Sequence, residues 1–350
     1  MTEKRMARLK SYLTGADLKA VGEQGLLSIL KKNLSRVERP DVLRGIGEDC
    51  AVIPISRTRC LLVTTDTLAE GIHFRLDYTT PYLLGKKAMA VNLSDVASMG
   101  GVPTHAFLNL ALPERMPVSF VHQLVQGINF WCRRYSVPVI GGDTVSCPHG
   151  VVLTITILGK GHKGKIVFRS GAREGDLIFV SGYLGDAAAG LALLEERRKP
   201  DPGYRRLFRA HLDPTPQLEL GRYLAGHKLA SAMIDLSDGL ATDLAHIAEE
   251  SGVAAEIDAG KLPISAACRK LARESGVSAL AWALFGGEDY GILFIVSPDN
   301  AEKIERELKS LTKAGPFCVG KIVKGRGVFL WESGYRKDIT HKGYDHFAKK

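Results

Sequence analysis

Leu61–Thr67 reads LLVTTDT, an apolar and β-branched run that closes on Asp66. The same arrangement returns in GIGEDC (45–50), AVNLSD (90–95), VIGGDT (139–144) and MIDLSDG (233–239), which close on Asp49, Asp95, Asp143 and the pair Asp235 and Asp238. Val, Ile and Thr favour strands, whereas Gly, Ser and Asp favour turns, so the recurring stretch predicts regular structure tipped by a carboxylate. A single aspartate in such a place is usually a turn residue or helix N-cap, because its side chain bonds nearby backbone N–H groups. Repetition along one chain asks for a common cause. Hard cations take oxygen ligands, and Mg²⁺ commonly uses a few carboxylates together with substrate phosphates. The set predicts the wall of a polyphosphate–Mg²⁺ site, in which Thr64 and Thr65 add oxygens and Gly141 and Gly142 let backbone approach a phosphate.

Outward from these stretches, Pro81–Met99 carries Leu84, Ala88, Val91 and Val96 near helical spacing, and Pro117–Tyr135 sets Val121, Leu124, Ile128 and Trp131 on one stripe. Both predict helices. Cys60–Thr65 predicts a strand ending at Asp66, Val137–Ile140 a short strand entering a GGDT turn, and Val151–Leu158 an alternating strand. Residues 1–36 read as polar and helical. GKGHKGK (159–165) interrupts the pattern and marks a domain boundary, giving 1–160 and 161–350. Beyond it, Asp176–Ser181 and Ala232–Ile234 predict strands, and Asp186 opens a helix. LATDLAHIAEESG (240–252) predicts a helix closed by Gly252, and GGEDYGILFIV (286–296) a turn and a strand. Strands and helices in both halves predict two α/β layers meeting at a cleft.

The length, 350 residues, fits two domains with their own cores. No stretch approaches the ~20 apolar residues of a membrane span, and MTEKRMARLK at the N-terminus lacks the apolar core of a secretory signal. Cys50, Cys60, Cys132, Cys147, Cys268 and Cys318 are scattered without a C-x-x-C pair, which predicts reduced cytosolic thiols and no zinc site. The net charge of +9 fits either nucleic acid or anionic small molecules as partners. Its densest run, Arg197–Lys199 with Arg205, Arg206 and Arg209, has no nucleic-acid module around it and reads as a solvated helix and loop.

Familiar nucleotide motifs are absent or incomplete. GKGHKGKI (159–166) has Walker A spacing, but Ile166 stands where a hydroxyl must hold Mg²⁺, and a β-branched run follows in place of a helix. GIGEDC lacks the third glycine of a dinucleotide fingerprint. Asp186 and Asp243 read as turn or helix residues. His73, just past the Asp66 turn, is a candidate phosphate donor, as are Arg169 and its rival Arg173, and Glu288 and Asp289 follow two glycines at a plausible site edge.

Eight stretches are similar, in order and spacing, to the motifs of the thiamine-monophosphate kinase family: GIGEDC, TTDTLAEGIHF (64–74), KAMAVNLSDVASMGG (87–101), IGGDT (140–144), SGAREGD (170–176), AMIDLSDGL (232–240), LFGGEDY (284–290) and KGYDHF (342–347). The family belongs to the superfamily of aminoimidazole ribonucleotide synthetase and selenophosphate synthetase. The resemblance implies a PurM-like α/β architecture of mixed sheets: an N-terminal domain whose sheet pairs across a homodimer, and a C-terminal α/β domain over the ATP cleft. It implies a cytoplasmic enzyme that transfers the γ-phosphoryl of ATP to thiamine monophosphate with several Mg²⁺ ions, and partners that include neither nucleic acid nor membrane.

Position by position, the resemblance implies magnesium ligands at Asp49, Thr64, Thr65, Asp66, Asp95, Asp143, Asp235 and Asp238, of which Asp66, Asp95 and Asp143 serve the chemistry. It implies ATP contacts at Gly142, Asp143, Arg169 and Ser237, and substrate contacts at His73, Glu288 and Tyr344. Three departures stand out: Glu48 replaces a common Asp, Gly291 a common Glu, and Gln217 a common Arg. None removes an expected metal ligand. The alternatives are another ATP-dependent synthetase of the superfamily and a non-catalytic anion-binding protein. Residues 1–45 hold no cysteine of the kind selenophosphate synthesis needs.

Overall fold

In the computed structural model, which describes residues 18–34, 41–198, 201–308, 312, 314–340, 342–344 and 347, two sheets carry the fold. The first contains β1 (Ala51–Pro54), β2 (Arg59–Ala69), β3 (Val102–Leu112), β4 (Val139–Ser146) and β5 (Val152–His162), in the order β1-β2-β5-β3-β4. β3 and β4 pair in parallel and the other neighbours antiparallel. Along β2 the residues alternate as period 2 demands: Cys60, Leu62, Thr64 and Leu68 are buried, while Arg59, Thr65 and Thr67 are exposed. One face is therefore dry and the other wet.

The second sheet contains β6 (Leu177–Val180), β7 (Ala232–Asp235), β8 (Ala254–Asp258), β9 (Ile292–Val296), β10 (Phe317–Val323), β11 (Gly327–Glu332) and β12 (Tyr335–Asp338), in the order β12-β11-β8-β10-β6-β9-β7. β9, ILFIV, is buried at every residue because helices and core cover both its faces, which explains its unbroken apolar run.

The helices are α1 (Leu18–Leu34), α2 (Pro81–Ser98), α3 (Val118–Tyr135), α4 (Asp186–Glu195), α5 (Arg205–Leu212), α6 (Leu218–Gly226), α7 (Leu240–Ser251), α8 (Ala266–Ser275), α9 (Ala279–Phe285) and α10 (Pro298–Glu307). The start of α2 is set locally: the Thr80 hydroxyl accepts the Leu83 N–H at 3.2 Å, and Pro81 occupies the first turn, where its missing N–H costs nothing. From Leu84 to Ser98 every residue of α2 except Asp95 is buried. The helix lies in one core with Leu153, Ile155 and Ile157 of the first sheet and Phe179, Met233 and Phe294 of the second. Its neighbours approach backbone to backbone. A Cβ on Gly127 of α3 would lie 1.9 Å from the Tyr82 carbonyl oxygen, and one on Gly221 of α6 would lie 1.8 Å from that of Ala97. A second core, including Ile178, Val180, Ile234, Leu244, Ile257 and Leu330, fills the far side of the second sheet.

Residues 41–343 make up one compact unit, and α1 belongs to a smaller separate unit with the end of the chain. α1 covers part of the helical expectation for residues 1–36 and breaks at Gly22 (φ 67°, ψ 175°); residues 1–17, 35 and 36 lie outside the described residues. Three local expectations change. β2 continues past Asp66 to Ala69, β4 runs through the expected GGDT turn to Ser146, and β5 extends through Gly159 and Gly161 to His162. Asp66 and Asp143 thus sit within strands, not beyond them. Among the described residues no helix is long and apolar enough to cross a membrane, and Arg197, Arg198, Arg206 and Arg209 each have a carboxylate oxygen within 4.0 Å.

Candidate active site

Four carboxylates from separate stretches meet along the C-terminal half of α2. Asp95 projects from the helix itself, Asp66 from the dry face of β2, Asp235 from the end of β7, and Asp49 from the turn before β1. The helix fixes each neighbour with a neutral donor or acceptor. Ser94 Oγ donates to Asp235 Oδ2 at 2.7 Å, Ser98 Oγ donates to Asp49 Oδ2, and Asn92 Oδ1 accepts the Asp66 backbone N–H at 3.0 Å. Thr64 Oγ1 donates to Asp95 Oδ2. Arg169 adds the cation of this wall: its Nε donates to Asp49 Oδ1 at 2.8 Å, while its backbone N–H donates to Glu48 Oε2 at 2.9 Å. Glu48, one of the three departures, therefore holds the arginine's backbone.

Hydroxyls orient these carboxylates without neutralising them. Burial pushes the Asp66, Asp95 and Asp235 carboxyls above the usual range; the Asp49 charge pushes all three in the same direction, while a hydrogen bond with Asp95 opposes the shift at Asp66. Only Asp49 has an arginine against it. An oxygen-only donor set under mutual repulsion fits a hard divalent cation, which would relieve the repulsion. Among the described residues no three His, Cys, Asp or Glu form a ready-made ion cage.

At the other end of the site, His73 Nδ1 accepts the Ala69 N–H at 3.1 Å, which leaves its proton on Nε2. Glu288 Oε2 receives Lys87 Nζ at 2.9 Å, and His211 Nδ1 lies 3.0 Å from the same oxygen, off the line of a hydrogen bond. Burial alone would raise the Glu288 carboxyl, but Lys87 and His211 together bring it down to about 2. Burial and the Lys87 charge lower His211, so its imidazole is neutral at pH 7.

The remaining expected residues divide. Ser237 meets the Glu288 loop, its carbonyl accepting the Glu288 N–H at 2.8 Å, and the Asp238 N–H reaches Asp243 Oδ1 at 3.4 Å. Asp243 is buried, with Oδ2 unpartnered among the described residues. Asp289 turns away to bind the Gly185 and Ala187 N–H groups at the head of α4, at 2.7 and 3.2 Å. Thr65 and Asp143 face the opposite, wet side of the first sheet. Asp66, Ile155, Leu108 and Gly142 lie in one cross-strand row, and Thr67, Thr154, Asn109 and Asp143 in the adjacent one. Asp143 is therefore three strands from Asp66, ~14 Å at ordinary strand spacing, and on the other face. Gly142 has φ 149°, and a Cβ there would lie 1.8 Å from the Leu108 carbonyl oxygen, so only glycine lets β4 lie so close. Tyr344 belongs to the smaller unit.

Two of the departures turn out to be neighbours: a Cβ on Gly291 would lie 3.8 Å from Gln217 Nε2. The positions where the resemblance implies a Glu and an Arg thus stand side by side, and both are uncharged here. Sequence reasoning overlooked Lys87, Asn92, Ser94, Ser98 and His211. A signal existed for three of them, because Lys87, Ser94 and Ser98 recur at spacings of seven and four, one polar stripe of a largely apolar helix.

Comparison with known proteins gives the chain its relatives. Residues 47–161 match the family model of the AIR synthase related protein N-terminal domain, and residues 173–332 match that of the C-terminal domain. The chain is 37% identical over 331 residues to thiamine-monophosphate kinase of Aquifex aeolicus (strain VF5), covering 94% of this chain and 99% of that one. It is 40% identical over 335 residues to thiamine-monophosphate kinase of Escherichia coli (strain K12), covering 93% and 98%. A solved structure of AaThiL complexed with AMPPCP and TMP superposes with a TM-score of 0.83 at 35% identity, covering 95% of this chain and 99% of that chain.

Proposed function

Because the chain belongs to the thiamine-monophosphate kinase family, we propose that it catalyses the ATP-dependent phosphorylation of thiamine monophosphate to thiamine diphosphate. It is an enzyme, a thiamine-phosphate kinase with a PurM-like α/β fold. The observation that carries the reading is the convergence of Asp49, Asp66, Asp95 and Asp235 on α2, with Arg169 on one side and the His73–Glu288 end on the other.

The nucleophile is a phosphate oxygen. A phosphate monoester has a second pKa near ~6 and is already ionised at neutral pH, so the site needs no general base. Its task is to bring two polyanions into line. Asp49, Thr64, Asp66, Asp95 and Asp235, with Asp238 on the neighbouring turn, would hold Mg²⁺, which when bound neutralises the donor and acceptor phosphates. Arg169 and Ser237 orient the nucleotide, and His73 Nε2–H donates to the substrate phosphate. Glu288 takes the heterocyclic end.

The same reading includes a cytoplasmic homodimer and a division into domains 1–160 and 161–350. We infer that Gly142 and Asp143 act across the dimer, since in their own chain Asp143 is three strands from Asp66 and on the opposite face, the one that carries Thr65. ³¹P NMR with ATP and Mg²⁺, run beside thiamine and thiamine monophosphate, tests the reaction. A diphosphate doublet formed only with the monophosphate supports it, and a product formed from unphosphorylated thiamine, or from neither, rejects it.

A further inference from the structure

A lysine inside a helix buried on nearly every side needs a compensating partner, because desolvated charge is costly. The Lys87 side chain is 4% exposed, and its Nζ lies 2.9 Å from Glu288 Oε2 and 3.5 Å from the His73 carbonyl oxygen. It ties together the turns that carry two expected substrate contacts, 215 residues apart in sequence (288 − 73). His211 crowds the same Oε2, and the Tyr78 ring packs edge-on against His211 at 6.2 Å. Glu288 Oε1 has no hydrogen bond among the described residues, and the Glu288 side chain keeps 22% of its surface exposed.

The loop bearing Glu288 is held in an unfavourable shape. Glu288 and Tyr290 have φ of 66° and 47°, the left-handed region that residues with a Cβ avoid. Such conformations persist where the surroundings over-determine them. Here the Glu288 and Tyr290 N–H groups donate to the carbonyls of Ser237 and Leu236, each at 2.8 Å, and Lys87 grips the side chain.

Resting on the kinase reading above, we propose that Lys87 is the positioning residue of the heterocycle end. It cancels the charge of Glu288 and leaves Oε1 as a directed acceptor, so that this end reads the exocyclic amino group and not the positive ring. An ion pair with no net charge gives little attraction to a cation, whereas its unbonded oxygen discriminates strongly against a partner lacking the N–H.

Steady-state kinetics on the full-length enzyme test this with thiamine monophosphate, an analogue in which a carbonyl replaces the amino group, and an analogue whose ring is neutral. Turnover of thiamine monophosphate by the wild type comes first, and its absence rejects the kinase reading itself. Given turnover, Lys87→Met should raise KM for thiamine monophosphate about ten- to a hundredfold, the value of one hydrogen bond to a charged group. KM for ATP and kcat should change little, and the preference for the amino over the oxo substrate should collapse. A folded Lys87→Met enzyme that keeps the preference overturns the proposal. If that variant fails to fold, the wild type decides: it should reject the oxo analogue far more strongly than the neutral-ring analogue, and the reverse order overturns the proposal.

Discussion

Mixing two inactive variants should restore activity if Asp143 works across a dimer. The cross-strand row from Asp66 ends at Gly142, and Asp143 belongs to the adjacent row on the other face. An inner-sphere Mg²⁺–oxygen contact is ~2.1 Å, whereas the in-chain separation is ~14 Å, so one protomer cannot bring both carboxylates to one ion. Asp66→Asn and Asp143→Asn homodimers should each be inactive. In a mixed dimer one site collects both substitutions, while the other combines an intact Asp66 with an intact Asp143. After unfolding and refolding an equimolar mixture, about half of the dimers are mixed and each has one good site, so turnover should recover to about a quarter of wild type. Release of ADP in the presence of thiamine monophosphate reads this directly. A mixture no more active than its components, with a mixed dimer demonstrated by mass, would refute trans action and return Asp143 to its own chain.

Burial and like charge raise the Asp66, Asp95 and Asp235 carboxyls in the folded state. Their contribution to stability is therefore complete below the unfolded value and is lost as pH rises through the folded one. The metal-free protein should lose stability as pH rises from about 5 to about 7, above the unfolded carboxyl value, and added Mg²⁺ should raise Tm more at the higher pH, since it competes with protons for the same oxygens. Equal gains at both pH values in a scanning-fluorimetry series would count against the cluster as the binding site. Gly291→Glu should destabilise by about 3 kcal/mol by burying an unpaired carboxylate between Ser181 and Leu236, and adding Gln217→Arg should recover most of it. Strict additivity in the double-mutant cycle, measured by urea unfolding, would sink the idea that these positions act as a pair.

Elements with a single strong period were legible. The Val121–Trp131 stripe became α3, and LATDLAHIAEES became α7, which ends at Gly252 in the left-handed conformation (φ 68°). β3 was not anticipated although it is a central strand. Its sequence begins with Val102 and Pro103, and Thr104 is an extra residue against β5, so the alternation is broken near its start. The acidic wall was legible because the same local design recurred. The face on which each acid stands was not, because it depends on strand pairing: Asp66 and Asp143 look alike in sequence and point to opposite sides of the sheet. Lys87 and His211 escaped notice for a different reason. The partner of each, Glu288, is brought to it only by the tertiary fold.

The wedging of α2 between the two sheets has a mechanical consequence. Its backbone touches α3 at Gly127 and α6 at Gly221, with no side chain between to give way. So close a backbone contact leaves α2 little freedom to slide or tilt against either helix, which holds Ser94, Asp95 and Ser98 at fixed places on the wall they line.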